Sequence, residues 1–119
     1  MRDKGSLLDC CTPLAGSSLS VEDARDLEQL FTVLADRHRL RILNMLLTAD
    51  GESICVCEFT ASLGLAQPKV SYHLKQLTEA GLLERERRAR FVYYAIAPRA
   101  LERMSSLLGF SLTTRLEVA

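Results

Sequence analysis

No apolar run among the 119 residues approaches the roughly 20 needed to cross a bilayer, so no membrane span is expected. Met1–Asp9 lacks the long apolar stretch of a signal peptide, which makes a cytoplasmic protein the expectation. No internal repeat is visible, which argues against a repeat array. No cysteine has a histidine or acid placed as its general base in any motif, so a thiol enzyme is not expected and no catalytic residue is assigned. Formal net charge is zero, so the overall balance gives no support for a nucleic-acid partner. What remains is an ordinary globular composition, 48% hydrophobic and 25% charged, of one domain's length and small enough to gain from dimerisation.

Charge distribution says more than its sum. Residues 67–95 carry Lys69, Lys75, Arg85, Arg87, Arg88 and Arg90 against three glutamates, whereas residues 1–36 carry seven acids against three bases. A basic half beside an acidic half suits one side that faces DNA and one that does not. Four cysteines fall into two tight clusters, Cys10-Cys11 and Cys55-x-Cys57. In a cytosolic chain with this apolar fraction, such clusters point to metal binding or redox sensing rather than to structural disulfides.

Residues 1–19, rich in Ser, Gly and Pro, read as a mobile arm. Ser20 followed by Asp23 is an N-cap signal, and Leu27, Leu30, Phe31 and Leu34 recur at helical spacing. Asp36 is a cap for a second helix to about Leu47, with Leu40, Leu43 and Leu47 as its buried stripe, widened by Ile42 and Leu46. Ser53 is expected to cap a short helix that opens with Cys55 and Cys57. Gly64 sits where positive φ ends that helix, and Pro68 stands just inside the next one, which together make a helix-turn-helix.

In the helix from Gln67 to Glu79, Val70, Leu74 and Leu77 share an inward arc. Lys69, Tyr72, Lys75 and Gln76 point outward, with Ser71 and His73 on the flanks. Polar, aromatic and basic groups on one face are what a major-groove reader presents, and Gln67, Lys69, Ser71, Tyr72, His73 and Gln76 are the candidate contacts. Leu82–Arg87 and Phe91–Ile96 then read as a hairpin with Arg88 and Arg90 at its tip, placed to meet phosphates and to add salt-dependent affinity. A last helix begins near Pro98, where Leu101, Met104, Leu107 and Leu108 form a stripe suited to a symmetry mate. His38, between arginines, is expected to be a solvated surface residue.

These segments resemble the ArsR/SmtB family of winged-helix transcriptional repressors. The likeness lies in Phe31-Thr-Val-Leu-Ala-Asp-Arg-His-Arg-Leu-Arg-Ile-Leu, Ile54-Cys-Val-Cys-Glu-Phe, Leu65-Ala-Gln-Pro-Lys-Val-Ser-Tyr-His-Leu-Lys-Gln-Leu and Ala80-Gly-Leu-Leu, and it covers roughly Asp23 to Leu108. It implies a mainly α fold with a small β-hairpin, a dimeric winged helix-turn-helix. The homodimer would join through its first and last helices, occupy double-stranded operator DNA and leave when a metal or metalloid ion binds. The expected organisation is an arm over 1–19, a DNA-binding and dimerisation domain over 20–109, and a tail over 110–119. Cys-x-Cys before the reader is similar to the arsenite-responsive and the cadmium/lead-responsive branches, and adjacent N-terminal cysteines are similar to some arsenite-responsive members. The family's second site, zinc bound by His and acids of the last helix, is not expected, because residues 98–108 hold no His and only Glu102 as an acid.

Cys10, Cys11, Cys55 and Cys57 are therefore the candidate ligands. Thiolates select thiophilic ions rather than Mg or Ca. Three suit pyramidal As(III) or Sb(III), the expected effectors, and four suit Cd(II), Pb(II) or Zn(II), with no organic cofactor. A helix N-terminus favours the thiolate. Residues i and i+2 of a regular helix diverge by about 200° but share a face in extended chain, so joint ligation predicts an extended first turn. The alternatives are a Cd(II)/Pb(II)-responsive repressor and a repressor switched by thiol oxidation.

Overall fold

The structure, a computed structural model, describes residues 18–107. Ser20 Oγ accepts from Asp23 N at 3.0 Å and starts α1 (Val21–Leu34), which buries Leu27 and Leu30. The Asp36 carboxylate accepts from His38 N (2.8 Å) and Arg39 N (3.1 Å) and starts α2 (Arg37–Leu47). Burial of Asp36 favours its neutral form, but those two hydrogen bonds outweigh that and hold its pKa below the ordinary value.

α2 is turned differently from the expected leucine stripe. Its buried residues are Arg39, Ile42 and Leu46, while Leu40 and Leu47 are exposed at 54% and 48%. Arg39 sets this rotation, because its guanidinium finds acceptors inside the molecule and carries positions 39, 42 and 46 inward as one face. Counting apolar residues alone favours the wrong face.

A second departure follows Ser53. Ile54 and Cys55 form a short strand, β1 (Ile54–Cys55), rather than helix. Then come α3 (Val56–Leu63), α4 (Gln67–Glu79), the hairpin β2 (Leu83–Arg88) and β3 (Phe91–Ile96), and α5 (Ala100–Leu107). β1 pairs antiparallel with β3, Ile54 opposite Tyr94 and Cys55 opposite Tyr93, so the expected hairpin is a three-stranded sheet in the order β1-β3-β2. β3 would otherwise offer an unpaired edge, and β-branched Ile54 gains burial to 7% by covering it.

Gly64 ends α3 at φ 69°, with open space where a Cβ would stand, so conformation rather than room selects glycine there. Phe59, Leu30, Ile42, Leu46, Leu74 and Leu77 are almost wholly buried and join α1, α2, α3 and α4 in one core. Each such side chain contributes about 1.5–3 kcal/mol over its exposed state. Ala100 and Leu107 fix α5 to that core, which moves Leu107 out of the expected intermolecular stripe. Leu101 at 58% and Val21 at 72% remain open to solvent on the last and first described helices. No helix of the described residues is long and apolar enough to cross a membrane. Cys10, Cys11, Leu108 and the tail lie outside the described residues.

Candidate functional site

Cys55 is the N-cap of α3, in extended conformation (φ −72°, ψ 145°), and its Sγ accepts from Cys57 N at 3.3 Å. This is the place expected for Ser53, whose hydroxyl instead accepts from Arg88 Nη2 at 3.1 Å. The pair thus straddles a strand-to-helix junction: Cys55 has the extended backbone that joint ligation predicts, whereas Val56 and Cys57 already belong to the helix. Cys55 is buried and Cys57 exposed, which gives one sheltered and one accessible sulfur.

The electrostatic expectation needs correction at Cys57. Its thiol is raised above its ordinary pKa, chiefly by side-chain hydrogen bonding with Cys55, with desolvation and the Cys55 charge adding to it. The neighbouring sulfur prevails over the helix N-terminus. A soft ion bound here would displace a proton, so its apparent affinity should rise with pH. Among the described residues no group of three or more His, Cys, Asp or Glu is arranged to hold a metal ion. Two adjacent sulfurs are a fitting but incomplete donor set for a three-coordinate metalloid.

A cleft of about 1030 Å³ opens beside the pair. Its walls bring together Cys55 and Cys57, Gln67, Ser71 and Lys75 of α4, and Arg85 and Arg90 of the hairpin. Two chemistries separate in sequence, soft donors and a polar, basic surface, therefore share one concavity. Gln67, Lys69 and Tyr72 are exposed on α4, and Ser71 and Gln76 are half-buried at its margins. The outward polar face expected from the sequence is thus present, with one member removed.

That member is His73. The sequence places it on the flank and within reach of DNA, but it is only 7% exposed and faces α2. Its Nδ1 accepts from Arg39 Nε at 3.0 Å. Burial, aided by the positive charge of Arg39, holds the imidazole below its ordinary value against the opposing pull of Asp36. His73 is therefore a neutral internal acceptor rather than a donor to phosphate. His38 also departs from the solvated reading, for its Nδ1 is buried without a hydrogen-bond partner among the described residues and its ring stands 5.5 Å from that of His73.

The two wing arginines differ as well. Arg90 is exposed at the tip and lines the cleft. Arg88 folds back, bonding Ser53 Oγ and Glu86 Oε1 (3.0 Å) and lying 4.5 Å from the centre of the Tyr93 ring. Sequence reasoning missed Arg39 and Ser53. Asp36 as cap, together with Arg39, Ile42 and Leu46 at i, i+3 and i+7, was the signal that could have placed Arg39 inside.

The description "Bacterial regulatory protein, arsR family" belongs to the family model that matches residues 36–85. An arsenic resistance transcriptional regulator of Pseudomonas putida is 43% identical over 79 residues, 66% of this chain and 60% of that protein. A putative arsenical resistance operon repressor of Halobacterium salinarum is 34% identical over 85 residues, 71% of this chain and 69% of that protein. The chain thus spans about three-fifths of the length of the first of these relatives. Among solved structures, the homodimeric winged helix-turn-helix DNA-binding domain of a possible ArsR-family regulator from Mycobacterium bovis matches with TM-score 0.58 at 27% identity, covering 78% of this chain and 86% of that one. The antimony-specific transcriptional repressor AntR matches with TM-score 0.61 at 27% identity, covering 89% and 93%.

Proposed function

This chain belongs to the arsR family of bacterial regulatory proteins, and from that premise we propose that it is a transcriptional repressor released from DNA by a trivalent metalloid. It binds double-stranded operator DNA as a cytoplasmic homodimer, and As(III) or Sb(III) held by cysteine thiolates weakens that grip. Gln67, Lys69, Ser71, Tyr72 and Gln76 face bases and nearby phosphates, and Arg90 meets the backbone. Exposed Val21 and Leu101 belong to the contact with the second protomer. Residues 1–19 act as the arm, 20–109 as the DNA-binding and dimerisation domain, and 110–119 as the tail.

The observation that carries this reading is the shared cleft, where Cys55 and Cys57 stand beside Gln67, Ser71 and Arg90. The two sulfurs supply two soft donors, and Cys10 or Cys11 supplies the third. Coupling requires only that the ion prefer the weak-binding conformation, typically by about 1–3 kcal/mol. Cys55 is well placed to transmit it, being at once a strand partner of Tyr93 in the wing and the cap of the helix before the reader.

Fluorescence anisotropy of a labelled operator duplex, titrated with arsenite, antimonite, cadmium and lead, tests the reading. Arsenite or antimonite should release the wild type, and Cys55→Ser and Cys57→Ser should abolish release while DNA binding survives. Release of a protein with all four cysteines replaced would sink the sensor reading. Cadmium or lead alone acting would favour the four-thiolate alternative. The side-chain hydrogen bonding between the Cys55 and Cys57 thiols also supports a thiol-oxidation reading, which release by diamide but not by arsenite would select.

A further inference from the structure

Arg39 lies outside the cleft, yet it is one of only two buried polar or charged side chains among the described residues. The other is His73, and the two are bonded to each other. A buried guanidinium is costly unless acceptors meet it, and a methionine or leucine would fill similar space without that cost. Here the hydrogen-bonding partners are neutral. Nε donates to His73 Nδ1 at 3.0 Å, which requires the ring to be neutral with its proton on Nε2, and Nη1 donates to Val33 O at 3.1 Å. The same guanidinium lies 5.6 Å from the centre of the Tyr72 ring, and His73 packs edge-on against that ring at 5.5 Å.

Three elements meet at this one planar group: the end of α1 through Val33, the start of α2 through Arg39, and the middle of α4 through His73 and Tyr72. Apolar packing by Val70, Leu74 and Leu77 keeps α4 on the core but tolerates small rotations of a helix about its axis. A hydrogen bond of fixed direction does not. Tyr72, 53% exposed on the outward face, is thus held at its base by two groups that face inward.

We propose that Arg39 is a positioning residue for sequence readout: through His73 and the Tyr72 ring it fixes the rotation of α4 and the direction of Tyr72, without touching DNA itself. This rests on the DNA-binding reading given above. The role concerns sequence choice rather than overall affinity, because phosphate contacts from Lys69 or Arg90 survive a small rotation whereas base contacts do not.

The test uses the full chain, a duplex selected by the wild type from a random-sequence library, and a scrambled duplex of equal length. Arg39→Lys keeps the charge but loses the fork, and should weaken binding to the selected duplex by about tenfold. Affinity for the scrambled duplex and the salt dependence should stay within about twofold of wild type. In a Tyr72→Ala background, where specificity is already reduced, Arg39→Lys should add less than twofold. Should Arg39→Lys fail to fold, His73→Asn, whose side-chain oxygen offers an acceptor near the Nδ1 position, should retain sequence preference where His73→Leu loses it. Equal loss on both duplexes, or an undiminished effect of Arg39→Lys without Tyr72, overturns the proposal, as does equal behaviour of the two His73 variants. A wild type that binds no duplex at all would remove the DNA-binding reading itself, and this inference with it.

Discussion

The reading helix and the wing border the same cleft but are held in opposite ways. α4 buries Val70, His73, Leu74 and Leu77, so its placement is decided by the interior. Of the six residues of β2 only Leu83 is buried, and the wing keeps its position through strand pairing, Tyr94 and the Arg88–Ser53 tie. An element fixed by the core moves only when the core moves. One fixed by a sheet edge responds to what happens at that edge, and Cys55 is part of it. The wing is therefore the more natural receiver of a change at the cysteines, and the reading helix the more rigid partner.

The largest effect that sharpens this contrast is on stability. Leu74→Ala removes a fully buried side chain from the inward face of α4 and should cost about 2–5 kcal/mol, read from the urea midpoint. Arg85→Ala, at an exposed position in β2, should change stability by less than about 0.5 kcal/mol. Comparable destabilisation by both would mean that the wing is as deeply built into the fold as the helix, and the contrast would fail.

This difference also explains what could be read in advance. The caps at Ser20 and Asp36 and the glycine stop at Gly64 depend on neighbours within a few residues, and all three stand where local chemistry puts them. The inward arc of α4 was legible because Val70, Leu74 and Leu77 repeat at helical spacing. Three of the failures share a cause. Arg39 turns inward because of His73, 34 residues away; Ser53 serves Arg88, 35 residues away; and Ile54 and Cys55 become strand because β3 needs an edge partner. Each was decided by a partner remote in sequence; the spacing of Arg39 with Ile42 and Leu46 could have placed that side chain inside, but no local pattern names its partner. At the candidate site the residue types were legible, while their sharing of one cleft was a tertiary fact.

A smaller effect separates the two regions by pH. His73 stays neutral in the folded protein below the pH at which it would take a proton in the unfolded chain, burial being the main cause. The groups facing it are Asp36, His38, Arg39, Lys69 and Tyr72. Stability from neutral His73 is present above about pH 6.5, the unfolded value, and is lost as pH falls through the lower folded value. Asp36 is also depressed, but its contribution is present above its ordinary 3.8 and is lost only in stronger acid, so the two windows separate. Urea midpoints between pH 7 and 5 should decline for wild type and stay flatter for His73→Asn. Parallel declines would mean that His73 does not carry the acid sensitivity of the helix.

The smallest effect lies within the wing and tests whether its two tip arginines have divided their tasks. Arg90 is exposed and lines the cleft, open to a phosphate. Arg88 is engaged by Ser53, Glu86 and the Tyr93 ring, and the hydrogen bond to Glu86 is the main cause that raises its pKa. Removing one arginine–phosphate pairing should shallow the slope of log affinity against log salt by about 0.9. Arg90→Ala, which removes one such pairing from each protomer of the proposed homodimer, should show about twice that change with unaltered thermal stability. Arg88→Ala should leave the slope near wild type, because its charge is already partnered by Glu86, and should instead loosen the segment before Cys55, read as faster amide exchange at Ile54 and Cys55. If both variants shallow the slope equally, Arg88 gives its charge to DNA rather than to Ser53, and strand pairing of Cys55 with Tyr93 is left as the connection between the wing and the sulfur pair.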